Sequence, residues 1–304
     1  MSKHLHVGLS AVLIAGGLLW LSTIIWPIHP TATWRWVPEL QASAFLGAVV
    51  LFVGVGVLTS VRRGFVFGLV VLLALLVVPR IPAAFFSPDA STHTRVFALN
   101  TFFGKANDQN TAEAINRLRP DIVFLSETNP DEVDNVARAT GMIPLTTADP
   151  GAGGADGVAA LITPQFGEDT GAFADMVTGV TRFQMPRVYA PLRNNSQFVG
   201  IHNVAPIATD RGAWIDDLSK LTEWSNKEKK LVVAGDFNAT RGHPRFRDFA
   251  LTSCTGHFAH TPTWPSDTPA IRLDHILTTG ECLDGGTVKI EGTDHRAVWA
   301  DVTT

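Results

Sequence analysis

Charge is scarce in the first part of this 304-residue chain. Residues 1–85 carry five basic side chains (Lys3, Arg35, Arg62, Arg63 and Arg80) and a single acid, Glu39, a net of +4. The remainder holds 19 basic and 27 acidic residues, a net of −8, so the two parts suit different surroundings. Cysteine is scarce too. Cys254 and Cys282 do not stand in metal-ligand spacing, which disfavours a thiolate zinc site. Whether they pair, as an oxidising compartment would allow, or remain buried thiols is left open by the sequence. Basic runs are absent beyond Lys227–Lys230, which Glu228 interrupts. Nucleic-acid binding rests on neutralising phosphates with Lys and Arg, so nucleic acid is a disfavoured partner, and no protein partner is implied. No internal repeat or low-complexity tract occurs.

Long apolar runs fill the N-terminal part. Val7–Trp26 is 20 residues without a charge, enough to span a bilayer core at about 1.5 Å per residue. Ala42–Thr59 and Gly64–Pro79 are further charge-free runs, the last extendable through Ile81–Phe86 if Arg80 snorkels. The sequence therefore predicts three transmembrane helices in residues 1–86, the second and third forming a hairpin around Ser60-Val61-Arg62-Arg63. No small-x-small cleavage site follows the first run, which favours its retention over a signal peptide. Lys3 and the Arg62-Arg63 turn assign those ends to the cytoplasm, and three crossings then put everything after Phe86 outside it, on a multi-pass plasma-membrane protein.

Residues 87–94 read as a polar linker, and 95–304 as a second domain of alternating short strands and helices. Strands are expected at Arg95–Leu99, Ile122–Ser126, Val158–Thr163, Gln197–Ile201, Leu231–Ala234, Leu273–Thr278 and Arg296–Val302. Helices are expected at Thr111–Leu118, Val133–Thr140 and Arg211–Asn226. Asn100, Glu127, His202 and Asp236 sit at the C-terminal ends of apolar runs, whereas Asp274 and Asp294 sit at the N-terminal ends of theirs. If the latter strands run antiparallel to the former, all six gather along one edge of two packed sheets.

These residue types suit phosphate chemistry. Glu127 is a hard oxygen ligand of the kind Mg²⁺ or Mn²⁺ takes. Asp236 and Asn238, two apart, face the same way in an extended segment. Asp274 is a natural partner to orient and charge the imidazole of His295, which then stabilises charge building on phosphorus. His275, adjacent to Asp274, should face the opposite side of its strand and be structural. His243, His257 and His260 lie in expected loops and receive no role.

The runs Leu99-Asn100, Ser126–Thr128 (SET), His202-Asn203, Gly235–Asn238 (GDFN), Arg272–Leu277 (RLDHIL) and Thr293–Val298 (TDHRAV) resemble, in order and spacing, the motifs of the endonuclease/exonuclease/phosphatase superfamily. The resemblance covers about Arg95 to Val302. It implies an α/β fold, a four-layered sandwich, and a metal-dependent phosphoesterase. It implies that Asp236 positions or deprotonates the attacking water, Asn238 holds a phosphoryl oxygen, His202 contacts phosphate, and Asn100 orients metal or phosphate. Asp294 would complete the metal site or the hydrogen bonds around it. The catalytic set is thus His202, Asp236, Asn238, Asp274 and His295, and the metal set Glu127, Asp294 and Asn100. Many relatives carry an Asp two residues after the motif Asn where this chain has Phe102, which favours a single ion.

Three apolar runs followed by this domain also resemble the actinobacterial membrane phosphatases linked to teicoplanin resistance, which are similar to undecaprenyl-pyrophosphate phosphatases. The reading is then an extracytoplasmic, membrane-anchored phosphoesterase acting on a lipid-linked phosphate or pyrophosphate. The alternatives are a surface nuclease or phospholipid phosphodiesterase, or a non-catalytic membrane receptor.

Overall fold

A computed structural model describes residues 3–25, 36–59, 93–146, 154–207, 210–254 and 261–304. The first apolar run forms α1 (Lys3–Ile25). The second forms α3 (Ala44–Thr59), and a short α2 (Val37–Ala42) precedes it. Within α1, His6–Thr23 is the one stretch among the described residues long and apolar enough to cross a membrane, and Ala44–Leu58 is a shorter apolar helix. Three spanning helices were expected. The structure supports one, because α2 ends at Ser43 and the helix of the second run is only 16 residues long. Both the third run, Gly64–Pro79, and the linker at 87–92 lie outside the described residues.

α1 packs on α3 through small residues. A methyl group on Gly17 would meet Leu51 at 2.6 Å, and one on Gly54 would meet the Ile14 backbone at 2.8 Å. Such close backbone approach is how helices associate where lipid, not water, surrounds them. The outward faces remain apolar, with Val12, Leu19, Phe52 and Val55 all exposed.

The rest of the described chain is two six-stranded sheets. Sheet A contains β1 (Thr94–Asn100), β2 (Ile122–Ser126), β3 (Ile143–Thr146), β4 (Val158–Ile162), β11 (Cys282–Lys289) and β12 (Arg296–Val302), in the order β11-β12-β1-β2-β4-β3. Sheet B contains β5 (Phe173–Val177), β6 (Met185–Ala190), β7 (Ser196–His202), β8 (Leu231–Asp236), β9 (Thr252–Ser253) and β10 (Asp274–Thr278), in the order β5-β6-β7-β8-β10-β9. Alternation along β1 shows the layering. Val96 and Ala98 join the core between the sheets with Phe124, Phe198, Val232 and Ile276. Phe97 and Leu99 face outward to α4 (Asp108–Leu118) and α5 (Pro130–Thr140), with Ile115, Val133 and Val136. On the far side α7 (Arg211–Ser225) buries Trp214, Leu218 and Leu221 against Val199 and Val233 of sheet B. A short α6 (Pro164–Thr170) follows β4. Helix, sheet, sheet, helix is the expected α/β sandwich.

Cys254 and Cys282 form a disulfide. Cys254 directly follows β9 and Cys282 begins β11, so the bond ties the edge of sheet B to the edge of sheet A.

Candidate active site

Strand register brings the polar groups together. In sheet B, β7 and β8 run parallel with His202 opposite Asp236, and β10 runs antiparallel with Asp274 opposite Asp236. Three functional side chains therefore stand in one row across adjacent strands. In sheet A, parallel β1 and β2 pair Asn100 with Ser126, one residue before Glu127. Antiparallel β12 begins at Arg296, directly after Asp294 and His295. Parallel strands thus contribute their C-terminal ends and antiparallel strands their N-terminal ends, all at one edge of the sandwich.

Asp236 is the hub. It is 1% exposed. Its Oδ1 accepts the Asn238 backbone N–H at 2.7 Å, and its Oδ2 accepts from the Asn100 amide at 3.0 Å and the Asn238 amide at 3.3 Å. His295 Nε2 lies 3.7 Å from the same Oδ2, and His295 Nδ1 lies 2.9 Å from Asp274 Oδ2. Burial alone would lower the His295 pKa, but the charges of Asp274 and Asp236 more than offset it and hold it up at about 10. Burial pushes Asp236 up to about 6, against the pull of the His295 charge. At neutral pH the proton therefore rests on the imidazole, which stands between the two carboxylates.

The local backbone supports this arrangement. Gly235 has φ +141 and a Cβ there would meet the Ile201 carbonyl at 2.1 Å, so the residue before Asp236 has to be glycine. Asn238 (φ 48), Glu127 (φ 51) and Phe102 (φ 54) all occupy the left-handed region, a strained conformation that clusters at functional sites. Asn238 also donates its amide to the Asn203 carbonyl at 2.8 Å.

Glu127 and Asp294 face the same cavity. Asn100 donates to Glu127 Oε1 at 3.0 Å, and its own Oδ1 accepts the Phe102 N–H at 2.9 Å, so its amide ties Glu127 to Asp236. Trp264 donates its indole N–H to Asp294 Oδ2 at 3.0 Å. Glu127 Oε2 and Asp294 Oδ1 are buried without a hydrogen-bond partner. Burial raises the Glu127 pKa, and the nearby Asp294 charge adds to the rise. Two open carboxylate oxygens of like charge are what a hard divalent cation satisfies, so the residues present fit such an ion. Asp236, Asp274 and His295 also bring potential ligand atoms within 4.8 Å of one another. There, however, both imidazole nitrogens are already engaged, Nδ1 with Asp274 and Nε2 with Asp236.

His202 is 4% exposed, donates Nδ1–H to the Ala155 carbonyl and stacks on Phe183 at 5.1 Å. Its Nε2 faces Glu127 Oε1 at 3.4 Å, and burial lowers its pKa. His275 stays outside the site. It packs on Phe246 and donates Nε2–H to the Ala239 carbonyl at 2.9 Å. Of the histidines given no role, His257 and His260 lie outside the described residues, but His243 lines the catalytic cavity.

Two further residues of the site went unread in the sequence. Glu132 accepts from Thr101 Oγ1 at 2.7 Å and Thr128 Oγ1 at 2.6 Å, bracing the turns that carry Asn100 and Glu127, and burial pushes it up to about 7. Its sequence position, three after the N-cap Asn129, reads only as a helix start. His243 has no signal in the sequence, because its partner, Pro38, lies on α2.

Residues 98–295 match the model of the Endonuclease/Exonuclease/phosphatase family, whereas no curated protein matches the chain. Solved structures share the fold. D. rerio TDP2, humanized by 14 mutations, is 14% identical with a TM-score of 0.55, over 70% of this chain and 100% of that one. A functionally unknown conserved protein from Enterococcus faecalis V583 is 14% identical with a TM-score of 0.53, over 69% and 99%. An endonuclease/exonuclease/phosphatase from Bacteroides vulgatus is 14% identical with a TM-score of 0.51, over 70% and 99%. The chain belongs to the Endonuclease/Exonuclease/phosphatase family and is accordingly a metal-dependent hydrolase of phosphoester bonds.

Proposed function

We propose that this protein is a membrane-anchored phosphoesterase that hydrolyses a lipid-linked phosphate or pyrophosphate outside the cytoplasm. The observation that carries this reading is a single cavity of about 860 Å³ with the catalytic groups on its floor and α2, from the apolar N-terminal part, on its wall.

Glu127 and Asp294 would hold one Mg²⁺ or Mn²⁺, with Asn100 orienting Glu127. The ion supplies positive charge that offsets the phosphoryl oxygens. Asp236, with a pKa near neutrality, takes the proton of the attacking water, and the Asn238 N–H holds it in place. Protonated His295, kept upright by Asp274, donates Nε2–H toward the oxygen on which charge develops. His202 and Asn238 line the same cavity, where the phosphoryl group would bind.

Several features support the membrane and the side. α1 and α3 are apolar on their outward faces and pack through glycines. α2 lies at the end of α1 opposite Lys3 and touches the catalytic domain there, as an extracytoplasmic domain would require. The disulfide suits an oxidising compartment. The multi-pass arrangement and the resemblance to the teicoplanin-resistance membrane phosphatases belong to this proposal. A net charge of −8 beyond residue 85 argues against DNA as substrate. The test is a substrate panel with the purified full-length protein and Mg²⁺, comparing polyprenyl pyrophosphate, phospholipids and DNA, with His295→Ala as the control. Turnover of the polyprenyl substrate above the others is expected, and preferential cleavage of DNA would replace the reading with a surface nuclease.

A further inference from the structure

α2 is more than a connector between two apolar helices. Trp20 of α1 donates its indole N–H to the Leu40 carbonyl at 2.9 Å, and the Gln41 amide donates to the Thr23 carbonyl at 3.0 Å, which fastens α2 to α1. On its other side α2 is latched to the catalytic domain. His243 is fully buried, and its Nδ1 accepts the Thr240 backbone N–H at 2.8 Å. The proton is therefore on Nε2, which donates to the Pro38 carbonyl at 2.9 Å. Arg211 meets Glu39 at 3.4 Å. Gly242 lies so close to α2 that a Cβ would sit 2.2 Å from the Gln41 carbonyl oxygen.

Held in this way, Pro38 and Ala42 line the same cavity as Asp236 and His295. Facing them are Phe103, Ile207 and Trp264, exposed at 45%, 63% and 37% although all three are large and apolar. Exposed apolar side chains gathered beside a charged catalytic floor mark a site for a ligand of matching character.

We propose that α2 and this apolar rim form a subsite for the hydrocarbon adjoining the scissile phosphate, so that the N-terminal part supplies one wall of the substrate site and not only a tether. The occupant is the phosphate-proximal end of an isoprenoid or acyl chain. It runs from the phosphoryl group over Asp236 and His295 along α2 toward α1 and α3, whose outward faces are apolar. This inference rests on the lipid-phosphate reading and adds which residues read the chain.

The experiment uses the full-length protein in detergent with Mg²⁺ and a series from isopentenyl to geranylgeranyl pyrophosphate. In the wild type KM falls as the chain lengthens. Gly242→Ala, which forces α2 away without touching the metal or proton-transfer groups, should raise KM for geranylgeranyl pyrophosphate about tenfold, roughly the loss of two buried methylenes. Its kcat, and its KM for isopentenyl pyrophosphate, should stay within about twofold of the wild type. Ala42→Asn, which makes the wall itself polar, should give the same chain-dependent rise without moving α2. Equal losses on short and long substrates, or no change in either variant, overturn the subsite. A wild type that cleaves long and short chains with equal KM overturns the subsite and leaves the lipid-phosphate reading standing. A wild type that cleaves DNA and none of the series overturns both.

Discussion

In the proposed mechanism His295 and Asp236 divide the proton work. One is held charged by two carboxylates, and the other has its pKa raised toward neutrality by burial. Replacing either removes a positioned group and its charge, so His295→Ala and Asp236→Asn should each lower kcat by roughly 10²–10⁴-fold. Unfolding midpoints measured alongside separate this effect from misfolding, and near-wild-type rates in both variants would refute the assignment. Glu127→Gln removes one of the two open oxygens and should raise the divalent-ion concentration for half-maximal activity more than any other single carboxamide substitution, read from a metal titration. His243 makes a prediction about stability. Burial lowers its pKa to about 4, against about 6.5 when unfolded. The unfolded chain therefore binds the proton first as pH falls. Stability from neutral, latched His243 is complete above about pH 6.5 and is lost toward pH 4, by about 3 kcal/mol in total. Denaturant titrations of the full-length protein at pH 7 and pH 4.5 should show this loss in the wild type and a smaller one in His243→Gln.

Among the elements, the central strands were legible in the sequence and the edges were not. β1, β2, β4, β7, β8, β10 and β12 are all expected within a residue or two of where they lie. β3, β5, β9 and β11, which have no counterpart in the sequence reading, are the four edge strands of the two sheets, and β6 adjoins one of them. Central strands of a sandwich covered by helices are buried on both faces and read as continuous apolar runs. The burial of β5 alternates, and β11 is half-exposed along most of its length, so neither stands out from a loop by composition. Two of these edges are joined by Cys254–Cys282, which closes a loop between residues 28 apart. In the chain-entropy account such a loop contributes about 3–4 kcal/mol. Reduction, or Cys282→Ser, should lower the unfolding free energy read from denaturant titration by that amount and leave kcat nearly unchanged, since neither cysteine lines the cavity.

For the whole molecule, the α1–α3 pair and the sandwich meet at α2, so in the proposed membrane-anchored protein the orientation of α1 decides where the active site faces. The proposal puts Lys3 on the cytoplasmic side, and α2 and the cleft would then emerge on the other. An alkaline phosphatase fused after Thr304 should be active and a fluorescent protein that matures only in the cytoplasm dark. The reverse pattern would exclude an extracytoplasmic substrate.

The sequence by itself determined the chemistry on offer. Carboxylates, amides and imidazoles stand at the ends of apolar runs, and strand direction alone then sends Asn100, Asp236, Asp274 and His295 to one edge. It also set residues 1–85, with five basic side chains and one acid, apart from the charge-rich remainder. Only the tertiary structure decided which side chains touch. Asp236 meets Asp274 because β8 and β10 pair in that register, and one residue of slip would turn Asp274 away and bring His275 to the site. Glu132 braces the site, and His243 latches Pro38 from some 200 residues away, because packing brings distant segments together and local pattern carries no record of it.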